Sequence, residues 1–262
     1  VSSQQLALIR KIKARLFMFA ILPAFEDLLQ FSEPAQKLLA DRSFKLRFQT
    51  SSGLRSSLHF AQNACQHVRQ PAAPSDIVLH FLTEEQLNNE FENQGFRIPL
   101  PIKGAHRIKD LQVFKALSRA LELALRAHDL HRTDPNLHDF QVSLQLGIAL
   151  RAVIQLTRHE PRSQRIMHET PDGLAYFSVG EERYGAWIEW KDGHISAGKN
   201  QPERQPDVSV RFNNPETALK AVGNRIDVMA AIGIGQIQVT GLVPLADALG
   251  YIFERIPLYI QP

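Results

Sequence analysis

The sequence predicts an α+β protein built from two tandem units, 1–131 and 132–262. Three observations predict it. First, the second half repeats the first: Ser75-Asp76-Ile77-Val78-Leu79-His80-Phe81 matches Pro206-Asp207-Val208-Ser209-Val210-Arg211-Phe212 at an offset of 131, half of the 262 residues. The diagonal reads on without a gap through Glu85/Glu216, Asn93/Asn224, Gly104/Gly235 and Leu111/Leu242, with apolar pairs Ile77/Val208, Leu79/Val210, Ile108/Val239 and Phe114/Leu245. Second, each half opens with helical spacing and turns to a period of two after a Glu-Pro pair, Glu33-Pro34 and Glu160-Pro161. Third, the strands of each half are segregated from most of its helices, the mark of a sheet with one face covered by helices.

The elements follow in order. Leu6, Ile9, Ile12, Leu16 and Phe19, with Leu28 and Leu29 beyond Pro23, step by three and four, which predicts an amphipathic helix interrupted at the proline. Its counterpart starts at Asp134 as cap and Pro135 as first helical residue, with Leu144, Leu146, Ile148, Leu150, Val153 and Leu156 apolar. The polar stretch between the units, 127–133, marks the boundary. In the second unit, Leu174–Val179 and Gly185–Trp190 read as strands, and Lys191-Asp192-Gly193-His194 turns a hairpin into Ile195. Asp207 to Phe212 alternates cleanly, with Val208, Val210 and Phe212 on one face. Asn214-Pro215-Glu216 caps a helix that Gly223 stops. A short apolar segment (Ile226, Val228, Met229, Ile232) precedes a strand from Gln236 to Thr240. A last helix, Leu242 to Phe253, ends before Pro257.

Composition narrows the class. At 44% hydrophobic and 22% charged residues the chain reads as an ordinary globular protein, neither disordered nor membrane-embedded. The run Leu16–Leu22 is too short to span a bilayer, and the absence of a small-residue cleavage site after it argues against a secretory leader. With Arg10, Lys11, Lys13 and Arg15 before it, that run is instead the candidate for peripheral contact with a membrane surface. A single cysteine, Cys65, excludes an intrachain disulfide and fits a reducing, cytoplasmic setting. Residues 1–131 hold 17 Lys and Arg against 12 Asp and Glu, whereas 132–262 hold 13 against 15. The basic excess of the first half is scattered, so no nucleic-acid partner is expected.

The stretch from Pro206 to Phe253 resembles the sterol carrier protein type 2 family. The matching pieces are the Pro206–Phe212 strand, then Gly235-Gln236-Ile237-Gln238-Val239-Thr240-Gly241, and Leu245-Ala246-Asp247-Ala248-Leu249 opening the final helix. The Trp190-Lys191-Asp192-Gly193 hairpin is similar to the family as well. Leu242 departs from it, since an acidic residue often follows the Val-x-Gly, and the first unit is a divergent copy that has lost most of the glycines. The resemblance implies two sterol-carrier-like units, each a mostly antiparallel five-stranded sheet covered by helices. It also implies an apolar tunnel between sheet and helices for a sterol, fatty acyl chain, phospholipid or quinone precursor. Burying one CH₂ is worth about 0.8 kcal/mol, so a sixteen-carbon chain offers roughly 12 kcal/mol before ordering costs, and such a ligand needs little polar chemistry.

The expected tunnel walls are Trp187, Val208, Val210, Phe212, Leu219, Met229, Ile232, Ile237, Val239, Leu245, Leu249 and Phe253. The competing reading is that these residues fill a solid core and the apolar helix faces bind a protein partner. If a cavity exists, Gly233, Gly235 and Gly241 predict that it is larger in the second unit. Gly233-Ile234-Gly235 lacks the third glycine and the following helix of a dinucleotide fingerprint. His128, His131 and His138 near the linker, and the isolated His106, His168 and His194, read as solvated side chains rather than metal ligands. With no Gly-x-Ser-x-Gly elbow and no orienting partner evident for Cys65, the expectation is a non-catalytic protein without cofactor.

Overall fold

The computed structural model describes residues 2–40, 42–92, 101–126, 135–180 and 184–260, and the chain divides into two units, Val1–Ala127 and His128–Pro262. The expected boundary segment 127–133 with His128 and His131, the Asp134 cap and Asn93 lie outside the described residues, as does the side chain of His138.

In the first unit, α1 (Ser3–Leu16) starts on a capping box in which Ser2 and Gln5 satisfy each other's backbone N–H. The interruption expected at Pro23 is a π-helical turn, Phe17–Ile21, closed by Leu22 N–H donating to the Phe17 carbonyl at 3.0 Å. Proline offers no N–H, and the widened turn precedes it before the chain restarts as α2 (Ala24–Phe31) and α3 (Glu33–Leu39). Of the run Leu16–Leu22, every residue but Ile21 is buried. It is core, so the membrane-surface contact expected of it is not available: its side chains are already spent inside the unit.

Four strands follow, β1 (Phe44–Thr50), β2 (Arg55–Ala61), β3 (Ala64–Arg69) and β4 (Ile77–Phe81), in spatial order β3-β2-β1-β4. The two hairpin pairs are antiparallel, but β4 returns parallel to β1. An isolated antiparallel bridge joins Val78 and Lys103, and among the described residues this sheet has four strands instead of the expected five. The helices α4 (Glu84–Glu92) and α5 (Ile108–Arg126) complete the unit. An aromatic cluster fills the space between sheet and helices. Phe44 stacks on Phe60 at 4.7 Å, and Phe114 of α5 meets Phe25 at 5.4 Å and Phe48 at 5.7 Å.

The second unit runs α6 (Pro135–His159), α7 (Pro161–His168), β5 (Gly173–Val179), β6 (Tyr184–Lys191), β7 (His194–Lys199), β8 (Val208–Phe212), α8 (Pro215–Val222), α9 (Val228–Gly233), β9 (Ile237–Gly241) and α10 (Val243–Phe253). Its sheet has the order β7-β6-β5-β8-β9, with β5 and β8 parallel and the other pairs antiparallel. Both sheets are therefore mixed. Alternation of side chains is the same for either strand direction, so the parallel pair leaves no trace in the pattern.

Residues Phe140–His159 of α6 are long and apolar enough to cross a membrane by length and composition, yet 78% of that window is buried within the protein. It is a core helix, packed on β6, β7, α7, α8 and α10. Asn214 caps α8 as expected, its Oδ1 accepting the Thr217 N–H at 2.9 Å. Asn214→Ala should cost about 1 kcal/mol, read as a lower urea midpoint at unchanged slope.

Candidate ligand-binding site

Register decides which side chains share the helix-covered face of the second sheet. Ala175 stands opposite Val208 and Ile188, Phe177 opposite Val210 and Ala186, Val210 opposite Val239, and Phe212 opposite Ile237. Helix α10 lies over β5, β8 and β9, where Phe253 meets Phe177 edge-on at 5.6 Å. Val208, Val210, Phe212, Ile237, Leu245 and Leu249 are buried together here. Leu219, Ile232, Val239 and Phe253 are half-buried around them.

Two expected wall residues lie elsewhere. Trp187 is paired with Tyr176, and Tyr176 with Ser209, so it stands on the opposite face from Val208 and Val210. There its ring covers Gly198, where an added Cβ would come within 2.5 Å of it. Trp190, opposite Ile195, is the tryptophan on the helix side. Strands alternate, so a choice of one neighbouring position selects the wrong face. Met229 is 74% exposed, on the outside of α9.

That exposure belongs to a larger feature. In α9, an apolar helix of sequence VMAAIG, Ala231 is the buried residue. Val228 and Met229 in it, Ile234 just after it, Val243 and Tyr251 of α10 and Leu258 beyond are all exposed. The segment 228–258 therefore exposes six large apolar side chains, among polar ones such as Gln238, Asp247 and Glu254, while its buried residues meet the sheet. Added Cβ atoms at Gly233 and Gly235 meet nothing within 4 Å. These two glycines border open space. Gly241 does not: it has a structural task at φ +103°, against the Asp207 carbonyl.

The motif aspartates are structural too. Asp207 Oδ2 accepts the Leu174 N–H at 2.7 Å and Arg204 Nη1 at 2.9 Å, while the Asp207 N–H donates to the Leu174 carbonyl at 2.8 Å. The Leu174 amide and then Arg204 hold its carboxyl below the ordinary value. Asp76 makes the same pair of bonds with Lys45, at 2.8 and 3.0 Å. Each aspartate fastens the first residues of the parallel pair.

A buried ion pair anchors the end of the second unit. Glu160, 2% exposed, accepts Arg255 Nε at 2.8 and 2.7 Å and also Arg255 Nη2, Tyr259 Oη at 2.7 Å and Ser163 Oγ. Burial opposes ionisation of Glu160, but the bonds from Arg255, Ser163 and Tyr259 outweigh it and keep its carboxyl below the ordinary value. Burial and then the Glu160 carboxylate push the Tyr259 hydroxyl up to about 12. In the sequence, Glu160-Pro161 marks only where helical spacing gives way to a period of two.

The residues considered for chemistry are held in structural contacts. Burial and then Glu26 push the Cys65 thiol well up, opposite to what an activated thiolate needs. His67 beside it has Nε2 at 2.7 Å from Ser56 Oγ and 3.0 Å from the Met18 carbonyl. A proton on Nε2 directed at that carbonyl leaves no lone pair there to activate the fully buried Ser56. Among the described residues, no three His, Cys, Asp or Glu side chains are grouped to hold a metal ion. His168 and His194, far apart in sequence, line one pocket.

No family model matches the chain, and no curated protein matches it. Several solved structures do. The chain is similar to the sterol carrier protein domain 2 of Helicoverpa armigera, at 15% identity and TM-score 0.36, over 45% of this chain and 92% of that one. It is similar to sterol carrier protein 2 from Yarrowia lipolytica in its apo form, at 14% identity and TM-score 0.33, over 40% and 84%. A third is the palmitated sterol carrier protein 2-like 2 of Aedes aegypti, at 20% identity and TM-score 0.26, over 37% and 92%.

Proposed function

We propose that the second unit binds an apolar or amphipathic lipid between its sheet and the α9–α10 segment and carries or presents it without transforming it. The observation that carries this reading is the exposed apolar side chains of 228–258, Met229 and Ile234 at 74% and 72% exposure, beside the buried Val208, Val210, Phe212 and Ile237 of the sheet. Large exposed apolar patches mark ligand, membrane or protein contacts in soluble proteins. A helix as lightly buried as α9 can shift to admit an alkyl chain at small cost, because little packing is lost. The resemblance of Pro206–Phe253 to the sterol carrier family supports a lipid as the occupant.

The two units are, in this reading, copies of one unit. They share the strand order, the parallel pair and the aspartate clamp. The first copy, whose interior is occupied by its phenylalanine cluster, serves as a companion rather than a second carrier. The protein works in a reducing, cytoplasmic compartment.

Native mass spectrometry of the purified chain, followed by organic extraction, tests the proposal. The expected result is an acyl or isoprenoid species at about one per chain, reduced in Met229→Asp, which places a charge among the exposed apolar side chains. A bare polypeptide mass, together with no uptake of added fatty acid, would transfer the exposed apolar side chains of 228–258 to a protein partner.

A further inference from the structure

A pocket of about 580 Å³ opens in the second unit where the last turn of α6, helix α7 and the β6–β7 hairpin meet. Its lining carries two arginines and two imidazoles. Arg158 comes from the end of α6, Arg165 and His168 from α7, and His194 from the hairpin; no carboxylate lines it. Arg165 and His168 are three apart on one helix face, and their side chains have no hydrogen-bond or ion-pair partner among the described residues. Arg158 is held in place, with Nη2 donating to the Ile195 carbonyl at 3.0 Å. Gln164 Nε2 donates to the Arg158 carbonyl at 2.8 Å, which occupies an end carbonyl of α6 that would otherwise repel an anion. His194 Nδ1 sits 2.9 Å from the Asp192 carbonyl, an acceptor, so Nδ1 carries a proton and the orientation of the ring is fixed.

Two further features point to a ligand with a body as well as a charge. Trp190 supplies a half-buried indole on the pocket wall, beside Ile195. Thr157, 5% exposed and also on the wall, has a buried Oγ1 without a hydrogen-bond partner among the described residues. Leaving such a hydroxyl unsatisfied is costly, and small rotations toward an acceptor in the pocket would relieve it. Arginine forks match the paired oxygens of carboxylate and phosphate, and an indole face accepts a flat or apolar group.

We propose that this pocket binds the anionic group of a small organic phosphate or carboxylate whose apolar body lies against Trp190. The site is separate from the α9–α10 segment and does not rest on the lipid reading. The chain has two tryptophans, so Trp187→Phe leaves Trp190 as the single reporter. The full-length variant is titrated with phenyl phosphate, phenol and decyl phosphate. Phenyl phosphate should change the Trp190 emission saturably, phenol should not, and adding Arg165→Ala should weaken binding about tenfold or more without moving the urea transition. Decyl phosphate binding tighter than phenyl phosphate identifies the anion as the head of an amphipathic lipid. Equal or weaker binding identifies a water-soluble phosphate. Calorimetry with phenyl phosphate on the unaltered chain gives the same readout if Trp187→Phe does not fold. No saturable response to either phosphate up to about 10 mM, or binding indifferent to Arg165→Ala, overturns the proposal.

Discussion

Arg255→Ala should destabilise the second unit by about 3–5 kcal/mol, the range for removing one partner of a buried ion pair. The size comes from what is left behind. Glu160 keeps its buried position at the junction of α6 and α7 and retains Ser163 and Tyr259, but no positive charge. Neutral donors do not offset the desolvation of a carboxylate, so its proton affinity must rise. The sign of the pH dependence follows. In the parent protein the Glu160 carboxyl lies below its ordinary value. The pair therefore contributes fully above the unfolded carboxylate range near about pH 4.3 and its contribution fades as pH falls through the lower folded value. In the variant the folded value lies above the unfolded one, so acidification removes the penalty by protonating Glu160. Urea unfolding at neutral pH should show the full gap, and the gap should narrow toward about pH 4. A gap below about 1 kcal/mol, or one independent of pH, would mean that Glu160 is solvated and the pair is a surface contact.

The residues that were legible in the sequence are those whose task is local. Asp76 and Asp207 repeat because each clamps the backbone of a parallel strand pair, and a backbone clamp tolerates few side chains. The helix and strand periods, the Asn214 cap and the interruption at Pro23 were legible for the same reason. What the sequence could not convey depends on the third dimension. The gapless diagonal set Gly104 against Gly235, but the sheet sets Gly104 against Gly241, because both lie on the carbonyl of the motif aspartate. The offset grows between strand and glycine as the intervening segments differ in length, and loops absorb such differences cheaply. Trp187 and Trp190 differ by an odd number of residues, so pairing register alone assigns the helix side to Trp190. The apolar segment 226–232 was visible, but whether its side chains face in or out is settled by packing, and α9 leaves them outside. Four cationic or imidazole side chains from three elements converge on one pocket; taken singly along the chain, each was an ordinary surface residue.

Gly241→Ala and Gly104→Ala should be comparably damaging, at about 2 kcal/mol or more each, although the sequence repeat does not align them. Gly241 has φ +103°, and a Cβ there would stand 2.2 Å from the Asp207 carbonyl oxygen and 3.1 Å from Val208 Cα. Gly104 has φ +81°, with the Asp76 carbonyl oxygen at 2.4 Å and Ile77 Cα at 3.1 Å. In both units the obstructing atoms are backbone at the start of the parallel strand, and that backbone is pinned by the aspartate clamp. The chain cannot rotate a side chain aside; it must shift the strand or the segment that follows it. In the second unit that shift also breaks the Leu242 N–H bond to the Asp207 carbonyl, 2.8 Å long, which turns β9 into α10. Gly233→Ala is the control. Its Cβ meets nothing within 4 Å and its φ is not left-handed, so alanine there should be neutral or slightly stabilising. Hydrogen exchange read peptide by peptide separates the units, with Gly104→Ala lowering protection in β4 and β1 and Gly241→Ala lowering it in β8 and β5. Damage from Gly241→Ala with none from Gly104→Ala would dissolve the equivalence. The first unit would then be a sheet that merely shares its strand order, and the Val78–Lys103 bridge would not correspond to the β8–β9 pairing.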